Sequence, residues 1–415
     1  MKTDAEINRL LRNRQYANAQ YAAIERIKKN RIDTQAWAFL GQALIDLRRG
    51  KMAELCVRRV ALLDPFASWV HGALRNAQAV HRGNDDPVIL KLLDHPHPTV
   101  SACVLTRDNA RTIRHCLESL LPAVDEIVVV DTGSKDDTVS IIESLGIHVH
   151  YFEWRDDFAV ARNYAQSLAT GEWIIAIDSD ENLLPEDQSA IRTIAGIHSL
   201  TQTPSAIRIA QISKLGNGSQ ITNFMGRMCK RNAGIYWQRR IHESLHHPDG
   251  LPAANAPIRV MHDGYFDAQI HLQKIERNIR ILGLAVDDDP NDPDNHYYLG
   301  RELFQQKSYA KAEASLRKAI ALNENESIDR PLFNSELISL LIETGRINDA
   351  ESEAEKQRRL YPHYPDGFGW LAYTKNSEEL AKEYAKVSRS YRGLSPVHFG
   401  LAEKIRVLLH NAGNK

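Results

Sequence analysis

The sequence predicts an α/β domain with a parallel sheet, flanked on both sides by all-α helical regions. Three observations predict it. Short apolar runs alternate with helical faces between residues 98 and 265. Residues 1–80 and 266–415 carry apolar residues at helical spacing. Between the first two regions, HRGNDDPVILKLLDHPHP (81–98) mixes charge, Gly and Pro, and its 81–97 portion reads as a linker.

At 415 residues the chain is long enough for two or three domains. Hydrophobic residues make up 43% and charged residues 25%, an ordinary globular composition. With 52 Lys plus Arg against 53 Asp plus Glu, no overall pull toward nucleic acid or anionic membrane is expected. Cys56, Cys103, Cys116 and Cys229 form no CxxC pair, which argues against a disulfide framework or structural zinc. MKTDAEINRLLRNRQYANAQ lacks the apolar core of a signal peptide, and no run of about 18 apolar residues occurs. A cytoplasmic protein without an integral membrane segment is expected.

Along residues 1–80, Leu10, Leu11, Tyr16, Ala19, Tyr21, Ala22 and Ile24 recur with helical period. Trp37-Ala-Phe-Leu40-Gly41, then Ala53 and Asp64-Pro65, resembles the pattern of tetratricopeptide repeats. A second copy runs from Tyr297-Tyr298-Leu299-Gly300 through Tyr309, Ala312 and Ala319. A looser third runs through Leu340, Leu341, Gly345, Ile347 and Ala350. Small residues belong where two helices cross closely, with large ones filling the gaps between.

In the middle region, Val100 to Leu105 reads as a strand and Thr112 to Leu121 as a helix. Glu126 to Val130 is a β-branched strand and Asp136 to Leu145 a helix. His148 to Phe152, Phe158 to Leu168 and Trp173 to Ile177 continue as strand, helix, strand. Ligands of such sheets bind beyond the carboxyl ends of the strands. Function is therefore sought at Thr106–Asn109, Asp131–Asp137, Glu153–Asp157 and Asp178–Asp180.

Each strand end carries polar chemistry. After the second strand, Gly133 permits a tight turn and Asp136 or Asp137 can cap the next helix. Asp131 is needed for neither task. It either accepts a hydrogen bond from a base or ribose or belongs to a capped turn. Asp157 is placed as a helix N-cap. Arg162 either grips a diphosphate or bridges to Asp178 or Asp157 as a scaffold ion pair. Asp178 and Asp180, two apart at a strand end, can reach a shared hard cation such as Mg²⁺ or Mn²⁺. That cation would offset their repulsion and the charge of a leaving diphosphate. A bare D-x-D fits a solvated turn equally well. Its place after a βαβα series with Asp131 favours the metal.

VSACVLTRDNARTIRHCLESL, EIVVVDTGSKDDTVSII, DDFAVARNYA and EWIIAIDSDE resemble family 2 glycosyltransferases over residues 98–265. The resemblance implies the GT-A fold, the Rossmann-like class of nucleotide-diphospho-sugar transferases. It implies a hexosyltransferase using a nucleotide sugar, with UDP-sugar as donor and Mn²⁺ or Mg²⁺ as cofactor. In this family the residue at Asp131 reads the base, and the D-x-D handles ribose and metal-diphosphate. The implied donor-binding set is Thr106, Arg107, Asp131, Ser134, Asp157, Arg162, Asn163 and Asp178. The implied metal set is Asp178, Asp180 and His262, the last from Val260-Met-His262-Asp-Gly-Tyr265. Where relatives often have Asn-Glu after the first strand, this chain has Asp108-Asn109.

Inversion at the anomeric carbon needs one general base. Within Arg239-Arg240-Ile-His242-Glu243, Glu243 is the first choice and His242 the second or an orienting partner. Tyr236 and Trp237 either face a sugar ring or anchor the site from beneath. Arg227 and Arg231 are candidates for the diphosphate or acceptor path. Glu181 is a turn residue or approaches the acceptor.

The layout of helices, catalytic domain and repeats is similar to bacteriocin peptide S-/O-glycosyltransferases. It implies a peptide or protein acceptor, with no nucleic-acid partner. Repeat arrays grip extended peptides or pair subunits as homodimers. A lipopolysaccharide-core or surface-glycan acceptor is the alternative. A non-catalytic repeat scaffold is a third reading, which the retained Asp131, Asp178, Asp180 and His242-Glu243 oppose.

Overall fold

The computed structural model describes residues 1–214, 220–262, 268–323, 330–391, 397–398 and 400–413. The chain forms two compact units, Met1–Tyr265 and Phe266–Lys415.

The first unit opens with α1 (Asp4–Arg12), α2 (Tyr16–Lys29), α3 (Thr34–Asp46), α4 (Gly50–Leu63), α5 (Val70–Ala79) and α6 (Pro87–Leu93). Thr3 and Asp33 cap α1 and α3 through bonds from Glu6 N and Ala36 N. One turn design joins α1 to α2 and α3 to α4. Each centres on a left-handed residue, Arg14 (φ 57°) or Arg48 (φ 56°). Arg14 N donates to Leu11 O and Gln15 N to Leu10 O, while Arg48 N donates to Ile45 O and Arg49 N to Leu44 O. These bonds satisfy carbonyls that a helix end leaves open. A fully buried alanine, Ala19 or Ala53, follows five residues after each left-handed residue. A Cβ on Gly41 would lie 3.0 Å from Val57 Cγ2, so glycine permits the close approach of α3 and α4.

Residues 81–97 hold a helix rather than the expected open linker. Asp86 accepts bonds from Val88 N and Ile89 N, and Pro87 fills the first turn of α6. Ile89 and Leu92 then join the helical core of Trp37, Leu40 and Cys56. Burial of each such aliphatic side chain contributes about 1.5–3 kcal/mol.

The sheet region follows as β1 (Val100–Thr106), α7 (Ile113–Leu120), β2 (Glu126–Asp131), α8 (Thr138–Ser144), β3 (Val149–Tyr151), α9 (Phe158–Leu168), β4 (Trp173–Asp178), β5 (Glu181–Leu183), α10 (Gln188–His198), β6 (Ala206–Lys214), β7 (Gln220–Lys230), β8 (Tyr236–Gln238), β9 (Ser244–His246) and β10 (Ala253–His262). Its strand order is β3-β2-β1-β4-β7-β6-β10-β5, with β8 and β9 as a separate ribbon. The expected strands β1 to β4 are parallel to one another. The whole sheet is mixed, because β7 runs against β4 and β6, and β5 against β10. The core containing Val104, Leu117, Ile177 and Ile194 draws on α7 and α10. A second cluster packs Ala165 of α9 with Cys103, Val130 and Ile174.

The second unit contains α11 (Ala268–Asp288), α12 (Pro293–Gln305), α13 (Tyr309–Asn323), α14 (Leu332–Glu343), α15 (Ile347–Leu360), α16 (Asp366–Thr374), α17 (Glu378–Ser390) and α18 (Leu401–Gly413). The turn design of the first unit returns at Lys307 (φ 64°), Gly345 (φ 75°) and Asn376 (φ 49°). The same bonding recurs from Lys307 and Ser308, from Gly345 and Arg346, and from Asn376 and Ser377. Buried Ala312, Ala350 and Ala381 again follow five residues later. The repeat-like helices are thus present in this unit, with a pair α16/α17 beyond the two copies expected from sequence. Among the described residues no helix is long and apolar enough to cross a membrane.

Candidate active site

Parallel pairing aligns the strand ends. Thr106 lies opposite Asp131, Asp131 opposite Tyr151, and Leu105 opposite Asp178. Thr106 is buried, with Oγ1 unpartnered, and its carbonyl accepts bonds from Thr132 N and Oγ1. Arg107 is exposed.

Asp131 does serve the turn, one of its two sequence readings. Its carboxylate accepts from Gly133 N at 2.9 Å, Ser134 N at 3.0 Å and Ser134 Oγ. Ser134 Oγ also accepts from Asp108 N at 2.9 Å. This fixes the β1 and β2 end loops against each other, and Asn109 Nδ2 adds a bond to Ser179 Oγ at 2.8 Å. Asp157 is the N-cap of α9, accepting from Val160 N.

The D-x-D motif divides. Asp178 meets two guanidinium groups: Arg162 Nη2 reaches Oδ1 at 2.6 Å, and Arg227 Nη2 reaches Oδ2 at 2.6 Å. Burial would raise its pKa, but Arg227 and Arg162 hold it well below the usual carboxylate range. Each oxygen of Asp178 is thus paired with an arginine. Glu181 is neither a turn residue nor an acceptor contact. It is fully buried, accepting from Asp178 N at 2.8 Å and Gln211 Nε2 at 2.5 Å. Burial and neighbouring Asp178 raise its pKa.

Asp180 points elsewhere. Its Oδ2 lies 3.2 Å from His262 Nε2, and both side chains are partly exposed. His262 Nδ1 lies 3.4 Å from Ser213 Oγ, which can orient the ring. Ligands at adjacent positions of an octahedral ion sit roughly 3 Å apart for bonds of about 2.1 Å. One carboxylate and one imidazole thus fit a shared hard cation that takes its other ligands from phosphate and water. Among the described residues no group of three or more His, Cys, Asp or Glu could hold a metal alone. Asp263-Gly-Tyr265, read with His262 in sequence, lies outside the described residues.

Arg162 is 5% exposed and acts as scaffold rather than diphosphate grip. Besides Asp178 it donates from Nε to Glu243 Oε1 at 2.5 Å and lies 4.9 Å over the Trp237 ring. Trp237 is the buried anchor of the two readings. Asn163 spends both amide groups on the Trp237 backbone, at 2.9 and 2.8 Å, so it holds β8 rather than a nucleotide. Arg231 is likewise structural, bonding Gly171 O. Tyr236 packs edge-on against His246.

Glu243 follows a strained loop in which Arg239 (φ 77°) and His242 (φ 54°) are left-handed. Burial would raise the Glu243 pKa, but Arg162 and Arg227 outweigh it and lower it. Glu243 is ionised at neutral pH, as a base must be, but is a weaker base than a free carboxylate. His242 is exposed. Sequence reasoning placed Arg227 on a substrate path and missed its pairing with Asp178. A basic residue within a strand was the available signal.

Residues 101–192 match the family model described as Glycosyl transferase family 2, so the chain carries a glycosyltransferase domain. A TPR repeat-containing protein of Synechococcus elongatus is 28% identical over 63% of this chain and 58% of its own length. The prophage-derived glycosyltransferase SunS of Bacillus subtilis is 27% identical over 54% of this chain and 53% of its own. The chain spans a little over half the length of these curated relatives. Among solved structures, residues 1–349 of Staphylococcus aureus TarS give a TM-score of 0.35 at 16% identity, covering 64% of this chain and 92% of that one. A Mg²⁺ and UDP complex of glucosyl-3-phosphoglycerate synthase from Mycobacterium tuberculosis gives 0.24 at 22% identity, covering 28% and 44%.

Proposed function

We propose that this glycosyltransferase domain moves a sugar, with inversion, from a UDP-sugar to a side chain of a peptide or protein, with a divalent cation bound. The carrying observation is the Asp180–His262 pair, 3.2 Å apart beside the aligned ends of β1, β2 and β4. Asp180 and His262 would hold the cation, which would supply charge stabilisation to the departing diphosphate. Asp131 and Thr106, at the β2 and β1 ends, are the candidates to face the nucleoside. Asp178 faces the ribose edge as a carboxylate held in place by Arg162 and Arg227.

Glu243 is the candidate base that takes the acceptor's proton as the acceptor attacks the anomeric carbon. Arg162 fixes its direction while lowering its basicity. His242 is the second candidate. The helix-pair repeats support a peptide acceptor, because stacked helix pairs form surfaces suited to extended chains.

The test is mass spectrometry of peptides and oligosaccharides after incubation with UDP-sugars, with and without Mn²⁺. A hexose-sized mass gain on peptide that requires Mn²⁺ is expected. Transfer to oligosaccharide alone would reject the peptide acceptor, and equal transfer after chelation would reject the metal.

A further inference from the structure

We propose that a cleft between α4 and α6 binds a small organic anion with an apolar body, a carboxylate or phosphate monoester on an alkyl chain. The cleft has a volume of about 650 Å³ and is walled by Leu55 and Leu62 of α4 and by Leu90 and Leu93 at α6. Arg58, Arg59, Lys91 and Asp94 complete its lining. Leucine walls leave water poorly bonded, so the body of the ligand is apolar.

Charge selects the head group. Arg58 is already paired, with Glu54 at 2.8 Å. Arg59 is 96% buried by its 4% exposure, yet it has no carboxylate partner among the described residues. Its Nη2 donates to Leu93 O at 2.5 Å, and its guanidinium lies 5.3 Å from the Trp37 ring. Its Nη1 is buried without a hydrogen bond. Burial lowers its pKa to about 10, so it still carries its charge at neutral pH. The bond to Leu93 O shows Arg59 capping the end of α6, which explains one nitrogen and leaves the charge unneutralised. Lys91 adds a second cation at the rim. Asp94 is the opposing acid of the lining and is ion-paired with neither arginine among the described residues.

Calorimetry and thermal melting of the full chain test this with octanoate, octyl phosphate, inorganic phosphate and octyl glucoside. Saturable binding of octanoate or octyl phosphate, with a raised Tm, is expected, and the stronger of the two identifies the head group. Arg59→Gln should weaken it about tenfold or more. Leu90→Asp, on the partly exposed wall, should do the same and keeps the test open if Arg59→Gln misfolds. No saturable binding at millimolar ligand, equal binding of octyl glucoside, or binding unchanged in Leu90→Asp would overturn the proposal.

Discussion

Arg162 Nε bonds Glu243 Oε1 at 2.5 Å while its Nη2 bonds Asp178 Oδ1 at 2.6 Å. One buried guanidinium on α9 therefore ties the 239–243 loop to the end of β4. The first prediction follows from it. Arg162→Met leaves two carboxylates facing Arg227 alone, and breaking a buried pair this way costs about 3–5 kcal/mol. The expected result is a large fall in Tm by calorimetry. Arg162→Lys keeps the charge but reaches one carboxylate at a time, so it should fold and transfer sugar slowly.

Asp180→Asn and His262→Ala should each weaken Mn²⁺-dependent UDP binding by roughly 10–100-fold, at least the effect of losing an outer-shell partner of a metal. The Tm of the free protein should change little, since both side chains are partly exposed. Titration calorimetry with and without Mn²⁺ measures both effects. Loss of UDP binding that is equally large without Mn²⁺ would reject the assignment.

Acid stability has a definite sign. Asp178 and Glu243 have folded-state pKa values below their ordinary ones. Their contribution is present above the unfolded values, 3.8 and 4.5, and is lost as pH falls through the folded ones. Glu181 is raised, so its stabilisation is present at low pH and lost as pH rises through its folded value, opposing the other two. Urea midpoints should fall below pH 4.5. The fall should be shallower in Asp178→Asn, and an identical slope would contradict the pairing.

In the second unit, a Cβ on Gly300 would lie 2.7 Å from Leu316 Cγ. Gly300→Ala should destabilise by about 1–3 kcal/mol through overpacking. Gly283, also in a helix, has no atom within 4 Å of such a Cβ, and Gly283→Ala should stabilise by about 0.5–1 kcal/mol. Urea unfolding of both variants separates the crossing from general helix propensity.

Asp131 and Asp178 were legible because each ends an apolar run that alternation marks as a strand, and Asp180 because it follows two residues on; His262 was read only from the family resemblance. Their partners were not. Arg227 reaches Asp178 only because β7 runs backward beside β4, a pairing that sequence order hides. Asn163 beside Arg162 resembled a ligand-facing pair, but its amide matches the free backbone of β8. Helix α6 was obscured by the Gly, Pro and charge that cap and precede it. The α1/α2 segment read as helical, but its pairing as a repeat was not legible, because Ile7 stands where the next pair has Gly41 and the shared feature is a backbone angle.

That backbone angle also makes the helical regions tunable. Arg14, Arg48, Lys307 and Asn376 hold a left-handed conformation that disfavours a side chain by about 1 kcal/mol each. The turn at Gly345 has already relieved it. The four remaining turns are reserves of rigidity that glycine can release one at a time. Their spacing makes the gains independent, so thermal tolerance can be raised in steps without touching a strand end.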